Sequence, residues 1–188
     1  KGLDALISKD IGPGNCLIDT WVRKNSDKKF DYDGHLASIG KKNEIIFEQA
    51  QELYYNRNKE KKSFDTNDFD ISFSRGLSLE DGTTTLTEFT GSIIAEKISL
   101  LAKNGKTFNN IIICGGGRKN KILINIIKKN LSQKIKIMMI DDYGIDGDFV
   151  ESKAFAFLAI RSYKKLPITF PSTTNCKKPC TGGEIIEN

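Results

Sequence analysis

The sequence has no apolar run that approaches the roughly 20 residues needed to cross a membrane, and it does not open on a basic segment followed by an apolar one. We therefore expect a cytoplasmic protein without a membrane partner. Histidine and cysteine are scarce: His35 is the single histidine, and the four cysteines are Cys16, Cys114, Cys176 and Cys180. His35 lies far from the C-x-x-x-C pair at 176 and 180, so we expect free thiols and no metal site.

Positive charge is not concentrated in one part of the chain. The 188 residues include 29 Lys plus Arg against 24 Asp plus Glu, which gives a net charge of +5. The lysines are spread over the segments 24–29, 59–62, 128–136 and 164–178. Because nucleic-acid binding usually needs a clustered basic face, we interpret these lysines as solvated surface and expect no nucleic-acid partner.

A chain length of 188 residues favours a single domain.

Three consecutive glycines, Gly115, Gly116 and Gly117, follow the apolar run Ile-Ile-Ile-Cys. Each glycine costs about 1 kcal/mol of backbone entropy relative to alanine, so such a run is typical of a turn that needs positive φ or close ligand approach. Asn120 is placed to cap a helix over 121–131, whose N-terminus attracts anions. The pattern predicts a strand and a nucleotide- or phosphate-binding turn. A purely structural turn is the alternative, since neither common glycine-rich motif is matched.

A second tight turn occurs in the segment Asp-Ile-Gly-Pro-Gly-Asn over 10–15. Gly12 and Gly14 flank a proline that fixes its own φ and restricts the residue before it. Asp10 stands where a preceding strand ends, which suits a carboxylate that acts as a general base beside a phosphate. The alternative for Asp10 is an Asx-type bond within its own turn.

Strand, glycine turn, helix, strand, loop and helix alternate along the chain, which predicts an α/β fold with a mainly parallel sheet and ligands at the carboxyl ends of its strands. Trp21, Phe155 and Phe157 are interpreted as core, and Asp33 as the cap of a short helix. The other predicted elements are a strand over 1–9, helices over 16–24 and 44–55, a surface loop over 56–70, a helix with a capping box at Thr85-x-x-Glu88 that stops at Asn104-Gly105, a strand over 135–140, a loop over 141–147, a helix opening at Asp148-x-x-Glu151, and an extended irregular tail over 165–188.

Six separated motifs together resemble the anhydro-N-acetylmuramic acid kinases of the actin, Hsp70 and sugar-kinase superfamily. The motifs are DIGPGNCLIDTW (10–21), KSFDTNDFD (62–70), LSLEDGTTTLTEFT (77–90), CGGGRKN (114–120), GIDGDFVESKAFAFLAIRS (144–162) and FPSTTNCKKPCTGG (170–183). The resemblance implies a ribonuclease H-like lobe of the actin-like ATPase type, with a mixed central sheet flanked by helices. It also implies that residues 1–188 are a single C-terminal lobe, and that an N-terminal lobe with a Gly-Thr-Ser-x-Asp-Gly loop is missing.

The family uses ATP and water to open the 1,6-anhydro ring of its sugar and to phosphorylate O6, which serves peptidoglycan recycling. By resemblance, Asp10 is the general base, and the Gly12 and Gly14 amides approach the phosphates together with Mg²⁺. Gly115, Gly116, Gly117 and Asn120 then belong to the adenosine loop.

Five further residues have two interpretations each. Asn15 is either a sugar-contacting amide or the cap of the helix that begins at Cys16, and Glu151 either holds the sugar or completes a capping box. Arg118 either reaches adenine or phosphate or is an exposed loop arginine. Asp146 and Asp148 are interpreted as solvated loop carboxylates rather than catalytic groups.

Departures from the family pattern affect binding more than chemistry. Ile11 stands where many members have threonine, Asn175 where glycine is common, and Ser152 and Lys153 interrupt a usual Glu-Ala pair. From the abrupt start we expect no kinase activity from this chain alone and, by resemblance, a homodimer for the full-length enzyme. The alternatives are a noncatalytic nucleotide-binding remnant of a split or decaying gene, and a different nucleotide-binding member of the superfamily.

Overall fold

The computed structural model describes residues 8–57, 64–103, 108–184 and 186. These residues form a mixed α/β structure of helices and a small parallel sheet. The helices and strands in chain order are α1 (Cys16–Asn25), α2 (His35–Ile39), α3 (Glu44–Arg57), α4 (Leu79–Lys103), β1 (Asn110–Ile113), α5 (Lys121–Asn130), β2 (Lys136–Met139), α6 (Val150–Tyr163) and α7 (Pro171–Thr174). The strand predicted over 1–9 falls almost entirely outside the described residues.

The sheet has two strands within the described part of the chain. β1 pairs with β2 in parallel, from Asn110 opposite Lys136 to Ile113 opposite Met139, and α5 connects them. The inner face of α5 packs Leu123 against isoleucines of both strands. The predicted strand–helix–strand unit is confirmed, and its parallel pairing brings the carboxyl ends of both strands to one edge.

Helix α4 lies at the centre of the larger core and contacts α1, α2, α3 and α5. Trp21, which is 4% exposed, packs against it and donates a hydrogen bond from Nε1 to the Leu79 carbonyl at 3.0 Å. The prediction that Trp21 belongs to the core is confirmed. The buried residues of this core are Leu17, Ile18, Trp21, Ala50, Tyr54, Ile71, Leu86, Phe89 and Ile93.

The threonine-rich part of α4 is buried, although its residues are polar. The hydroxyl of Thr83 donates to the Leu79 carbonyl at 2.7 Å, and that of Thr85 donates to the Asp81 carbonyl at 2.7 Å. These bonds to the preceding turn satisfy the hydroxyls inside the core. The capping box predicted at Thr85 is therefore wrong, because α4 begins six residues earlier at Leu79.

Several local predictions differ from the structure. Asp31, not Asp33, caps the turn that opens α2, since its carboxylate accepts from the Leu36 amide at 2.7 Å and the Ala37 amide at 3.1 Å. Phe155 and Phe157 are 64% and 59% exposed, so the prediction that they lie in the core is wrong for the described residues.

Two segments predicted to be irregular contain more structure than expected. The surface loop predicted over 56–70 overlaps residues 58–63, which lie outside the described part, and its remainder includes Phe64 and Phe69 packed against the core. The tail contains α7 and an antiparallel bridge between Thr169 and Cys180. No helix in the described segments is both long enough and apolar enough to span a membrane.

Candidate active site

The turn over 10–15 leads directly into α1, whose inner face is anchored in the core. Gly14 adopts a φ of +54°, which a residue with a Cβ rarely takes, and the Cys16 amide donates to the Pro13 carbonyl at 3.1 Å. Gly12 lies close to α4, because a Cβ built on it would sit 3.1 Å from Ile93 Cγ2. The sequence of this turn therefore holds the backbone in one shape against the core.

Asp10 is exposed at the start of this turn. Its Oδ2 atom accepts a hydrogen bond from the Phe64 amide at 3.1 Å, so this bond runs outside its own turn. Asp10 also lines an open pocket of about 390 Å³, together with Lys9, Thr66 and Phe69. The carboxylate is accessible to a small molecule and has a protein donor that orients it.

The glycine turn follows β1 at the carboxyl edge of the sheet. Gly115 has a φ of +79°, and its amide donates to the Gly147 carbonyl at 3.1 Å. Asn120 is buried, and its Oδ1 atom accepts from the Leu123 amide at 3.0 Å. The predicted cap of α5 is confirmed, so the Asn120 side chain orients the N-terminus of this helix.

The two turns meet at Asn15. A Cβ built on Gly117 would lie 3.2 Å from Asn15 Oδ1, and one built on Gly116 would lie 3.8 Å from Asn15 Nδ2. The Asn15 side chain makes no cap bond to α1, so the cap interpretation is wrong. Its Oδ1 atom is buried and finds no hydrogen-bond donor among the described residues.

Arg118 ties the glycine turn to the loop after β2. Its guanidinium pairs with both oxygens of Asp141, from Nε at 2.7 Å and from Nη2 at 3.0 Å, and Nη1 donates to Asp148 at 2.6 Å. The side chain is only 7% exposed. The interpretation of Arg118 as an exposed loop arginine is therefore wrong.

The carboxylates of Asp141 and Asp148 are held in their charged form. Hydrogen bonds from Arg118 lower the pKa of Asp141 from 3.8 to about 2. Hydrogen bonds from Lys119 and Arg118 lower the pKa of Asp148. Asp146 and Asp148 are exposed, as predicted, but Asp148 also pairs with both cations and Asp146 lies 3.8 Å from Arg118.

Comparison with known proteins identifies the family. The family model described as anhydro-N-acetylmuramic acid kinase matches residues 4–188. The chain belongs to this family.

Relatives named anhydro-N-acetylmuramic acid kinase match almost the whole of this family member. The protein from Pelagibacter ubique is 49% identical over 191 residues, covering 100% of this chain and 51% of its own length. The proteins from Zymomonas mobilis and Agrobacterium fabrum are 35% and 34% identical, covering 96% of this chain and 48% of their own lengths. The chain therefore spans about half the length of these kinases.

Glu151 lies in the first turn of α6, where its side chain is exposed. The capping box predicted for it does not form, because α6 begins at Val150 and Asp148 is paired with Arg118 and Lys119. Asp148, three residues before Glu151, pairs with Arg118 of the glycine turn at 2.6 Å.

Sequence reasoning about this kinase-family chain missed Asp141 and Gly147. Asp141 follows β2 as Gly115 follows β1, so the parallel pairing of the two strands was the signal that could have placed them together. Gly147 lies against Arg118, where a Cβ would overlap the guanidinium. All four cysteines are free thiols, as predicted.

Proposed function

We propose that these residues form part of an ATP-dependent kinase that opens the 1,6-anhydro ring of anhydro-N-acetylmuramic acid and phosphorylates its O6 atom. The observation that carries the proposal is the contact between Asn15 and Gly117, since it brings two glycine turns to one place on the surface. Glycine turns at the ends of strands are suited to nucleotide phosphates because their amides can approach closely. The family relationship supports the choice of sugar.

Asp10 is the general base in this proposal. Its carboxylate takes a proton from water as the water oxygen attacks the anomeric carbon, and the bond from that carbon to O6 breaks. The released O6 then attacks the γ-phosphorus of ATP, and ADP leaves, which gives N-acetylmuramic acid 6-phosphate. The exposed position of Asp10 beside a pocket of about 390 Å³ supports this role.

The glycines hold the nucleotide in this proposal. Amides of Gly12 and Gly14 face the phosphates, and the turn of Gly115, Gly116 and Gly117 receives the adenosine. The positive φ angles of Gly14 and Gly115 support a backbone shape kept for a ligand. Asn120 acts by capping α5, which fixes the backbone where the glycine turn enters that helix.

Sugar contacts are assigned to Asn15 and Glu151. The buried Oδ1 atom of Asn15 has no donor among the residues described, which fits an acceptor reserved for a substrate hydroxyl or amide. Glu151 is exposed in the first turn of α6, so its carboxylate is accessible.

In the proposed reaction Mg²⁺ binds together with ATP and would neutralise part of the negative charge of the phosphates. The described residues contain no group of three or more His, Cys, Asp or Glu arranged around a common metal position. Mg²⁺ usually keeps several waters and binds substrate phosphates with one or two carboxylates. Asp10 and Asp65 are exposed carboxylates that line the pocket beside the turn over 10–15.

The proposed architecture is the C-terminal lobe of a two-lobe, ribonuclease H-like kinase. The parallel strand–helix–strand unit supports it, and the relatives are about twice as long as this chain. The N-terminal lobe is the first partner in the proposal, and a homodimer of the complete enzyme in the cytoplasm is the second. The cellular role is peptidoglycan recycling and amino-sugar catabolism.

A chimera tests the function. Residues 1–188 would replace the matching half of the Pelagibacter ubique relative, and ADP release that depends on the anhydro-sugar would be measured. We expect turnover from the chimera and none from the 188 residues alone. Asp10→Asn should lower kcat by about 10²- to 10⁴-fold, the usual contribution of a general base, and ATP binding should be retained.

Asp27→Asn is the matched control, since Asp27 is exposed on the loop after α1 and receives the same chemical change. It should leave turnover unchanged. Full activity of the Asp10→Asn chimera would refute the assignment of the base. A chimera that binds ATP without sugar-dependent ADP release would favour the noncatalytic nucleotide-binding alternative.

A further inference from the structure

Arg118 forms hydrogen bonds both to the glycine turn after β1 and to the loop that precedes α6. Its Nη1 atom donates to the Gly115 carbonyl at 3.1 Å within the glycine turn and to Asp148 at 2.6 Å immediately before α6. We propose that Arg118 is a positioning residue that couples the nucleotide turn to the start of the helix carrying Glu151. This inference rests on the proposed function, in which the turn holds ATP and Glu151 contacts the sugar.

The guanidinium is committed to protein groups. Nε and Nη2 donate to the two oxygens of Asp141, and Nη1 donates to Gly115 and Asp148, so four hydrogen bonds surround a side chain that is 7% exposed. A planar guanidinium can hold such a bidentate pair, whereas a lysine ammonium cannot reproduce it. Arg118 therefore acts on bound nucleotide through the turn, not by contact with phosphate.

Hydrogen bonds from backbone amides also connect the glycine turn to the loop after β2. The Gly115 amide donates to the Gly147 carbonyl at 3.1 Å, and the Gly147 amide donates to Asp141 Oδ1 at 3.3 Å. The amide of Gly115 is thus held by the loop after β2, and its carbonyl is held by Arg118, which also binds that loop. Because Gly115 is at a φ of +79°, this support selects one backbone shape for the turn.

Gly147 is part of the same arrangement. A Cβ at this position would overlap the guanidinium of Arg118. Glycine therefore allows the 141–148 loop to lie directly on the arginine. A Gly147→Ala variant displaces Arg118 while keeping every charge in the cluster, which separates geometry from charge.

Enzyme kinetics on the chimera provide the first test. We expect Arg118→Met, Arg118→Lys and Gly147→Ala each to raise the KM for ATP at least tenfold, with Arg118→Lys no better than partly active. Lys129→Met is the control for loss of a positive charge, since Lys129 is exposed in the last turn of α5, at the opposite end of the helix from the glycine turn. It should leave both KM and kcat unchanged.

Amide hydrogen exchange on the 188-residue chain provides the second test and does not depend on activity. Exchange at Gly115 and Gly147 should accelerate at least tenfold in Arg118→Lys and Gly147→Ala relative to wild type and Lys129→Met. A wild-type chimera without sugar-dependent turnover would count against the proposed function alone, and exchange would still test the coupling. Unchanged exchange, or an unchanged KM for ATP in an active chimera, would overturn the role of Arg118.

Discussion

The Oδ1 atom of Asn15 lies against Gly117, at a position where a Cβ on that glycine would be 3.2 Å away. This contact joins a turn that follows residue 9 to a turn that follows β1, and it leaves the Asn15 acceptor buried without a donor among the described residues. An unsatisfied buried acceptor costs about 1–3 kcal/mol, and a hydrogen bond from a bound substrate would recover that cost.

Asn15→Ala should therefore separate stability from activity. We expect the free energy of unfolding of the 188-residue chain to stay the same or to rise, because an unpaired acceptor is removed. The chimera carrying this change should lose at least tenfold in kcat/KM for the sugar. Chemical denaturation and steady-state kinetics measure the two quantities.

Asn25→Ala provides the matched control for that prediction. The Asn25 Nδ2 atom donates to the Trp21 carbonyl at 2.9 Å, so this amide is satisfied within the protein. Its loss should cost about 0.5–1.5 kcal/mol of stability with unchanged kinetics. If Asn15→Ala behaves in the same way, Asn15 is structural and the sugar contact is wrong.

Gly117→Ala should be more harmful than Gly116→Ala. The new Cβ at Gly117 would press on Asn15 Oδ1 at 3.2 Å, whereas the Cβ at Gly116 would make ordinary contact with Asn15 Nδ2 at 3.8 Å. We expect the thermal unfolding midpoint of Gly117→Ala to be lower than that of Gly116→Ala. Restoration of the Gly117→Ala midpoint by Asn15→Ala would show that the clash is the cause, and no restoration would argue against the contact.

Gly82→Ala should destabilise the core despite the usual benefit of alanine in a helix. Alanine is favoured over glycine by about 1 kcal/mol in a helix interior, but a Cβ at Gly82 would overlap the Trp21 indole. We expect a net loss of about 1–3 kcal/mol, as for other overpacked cores. Denaturant unfolding measures it.

Ser92→Ala in the same helix is the control for helix propensity, since Ser92 is only half-buried. Its unfolding free energy should change by less than about 1 kcal/mol. A Gly82→Ala protein as stable as Ser92→Ala would contradict the close packing of Trp21 on α4.

The ion pair between Asp141 and Arg118 should make the stability of the protein depend on pH in the acid range. Arg118 holds the pKa of Asp141 at about 2, below its ordinary value of 3.8, so the pair contributes stability above pH 3.8 and loses it as the pH falls toward 2. The difference in unfolding midpoint between wild type and Asp141→Asn should therefore be constant at neutral pH and shrink between these two values.

The other charged groups around Asp141 also require a control. Lys119, Asp146 and Asp148 share the cluster, and the pKa of Asp148 is lowered as well. Repeating the comparison in an Arg118→Met background isolates the Asp141–Arg118 pair. The shrinkage should disappear in that background, and its persistence would assign the pH effect to another group.

Local patterns predicted the elements that short-range forces decide. β1, α5 and β2 formed where apolar periodicity placed them, and Asn120 capped α5 as predicted. Capping and periodicity act within one or two turns, so neighbouring residues carry the information. The threonine run of α4 misled the same reasoning, because its hydroxyls bond to the preceding turn inside a core that only the packed helices create.

The sequence by itself determined the family, the parallel strand–helix–strand unit and the two glycine turns, because motifs and short-range preferences are written in consecutive residues. Only the tertiary structure decided that Asn15 meets Gly117, that Arg118 is committed to Asp141 and Asp148, and that Phe155 is exposed. Each of these depends on how segments distant in the chain pack together. Burial and charge pairing arise from that packing, so no local pattern can specify them.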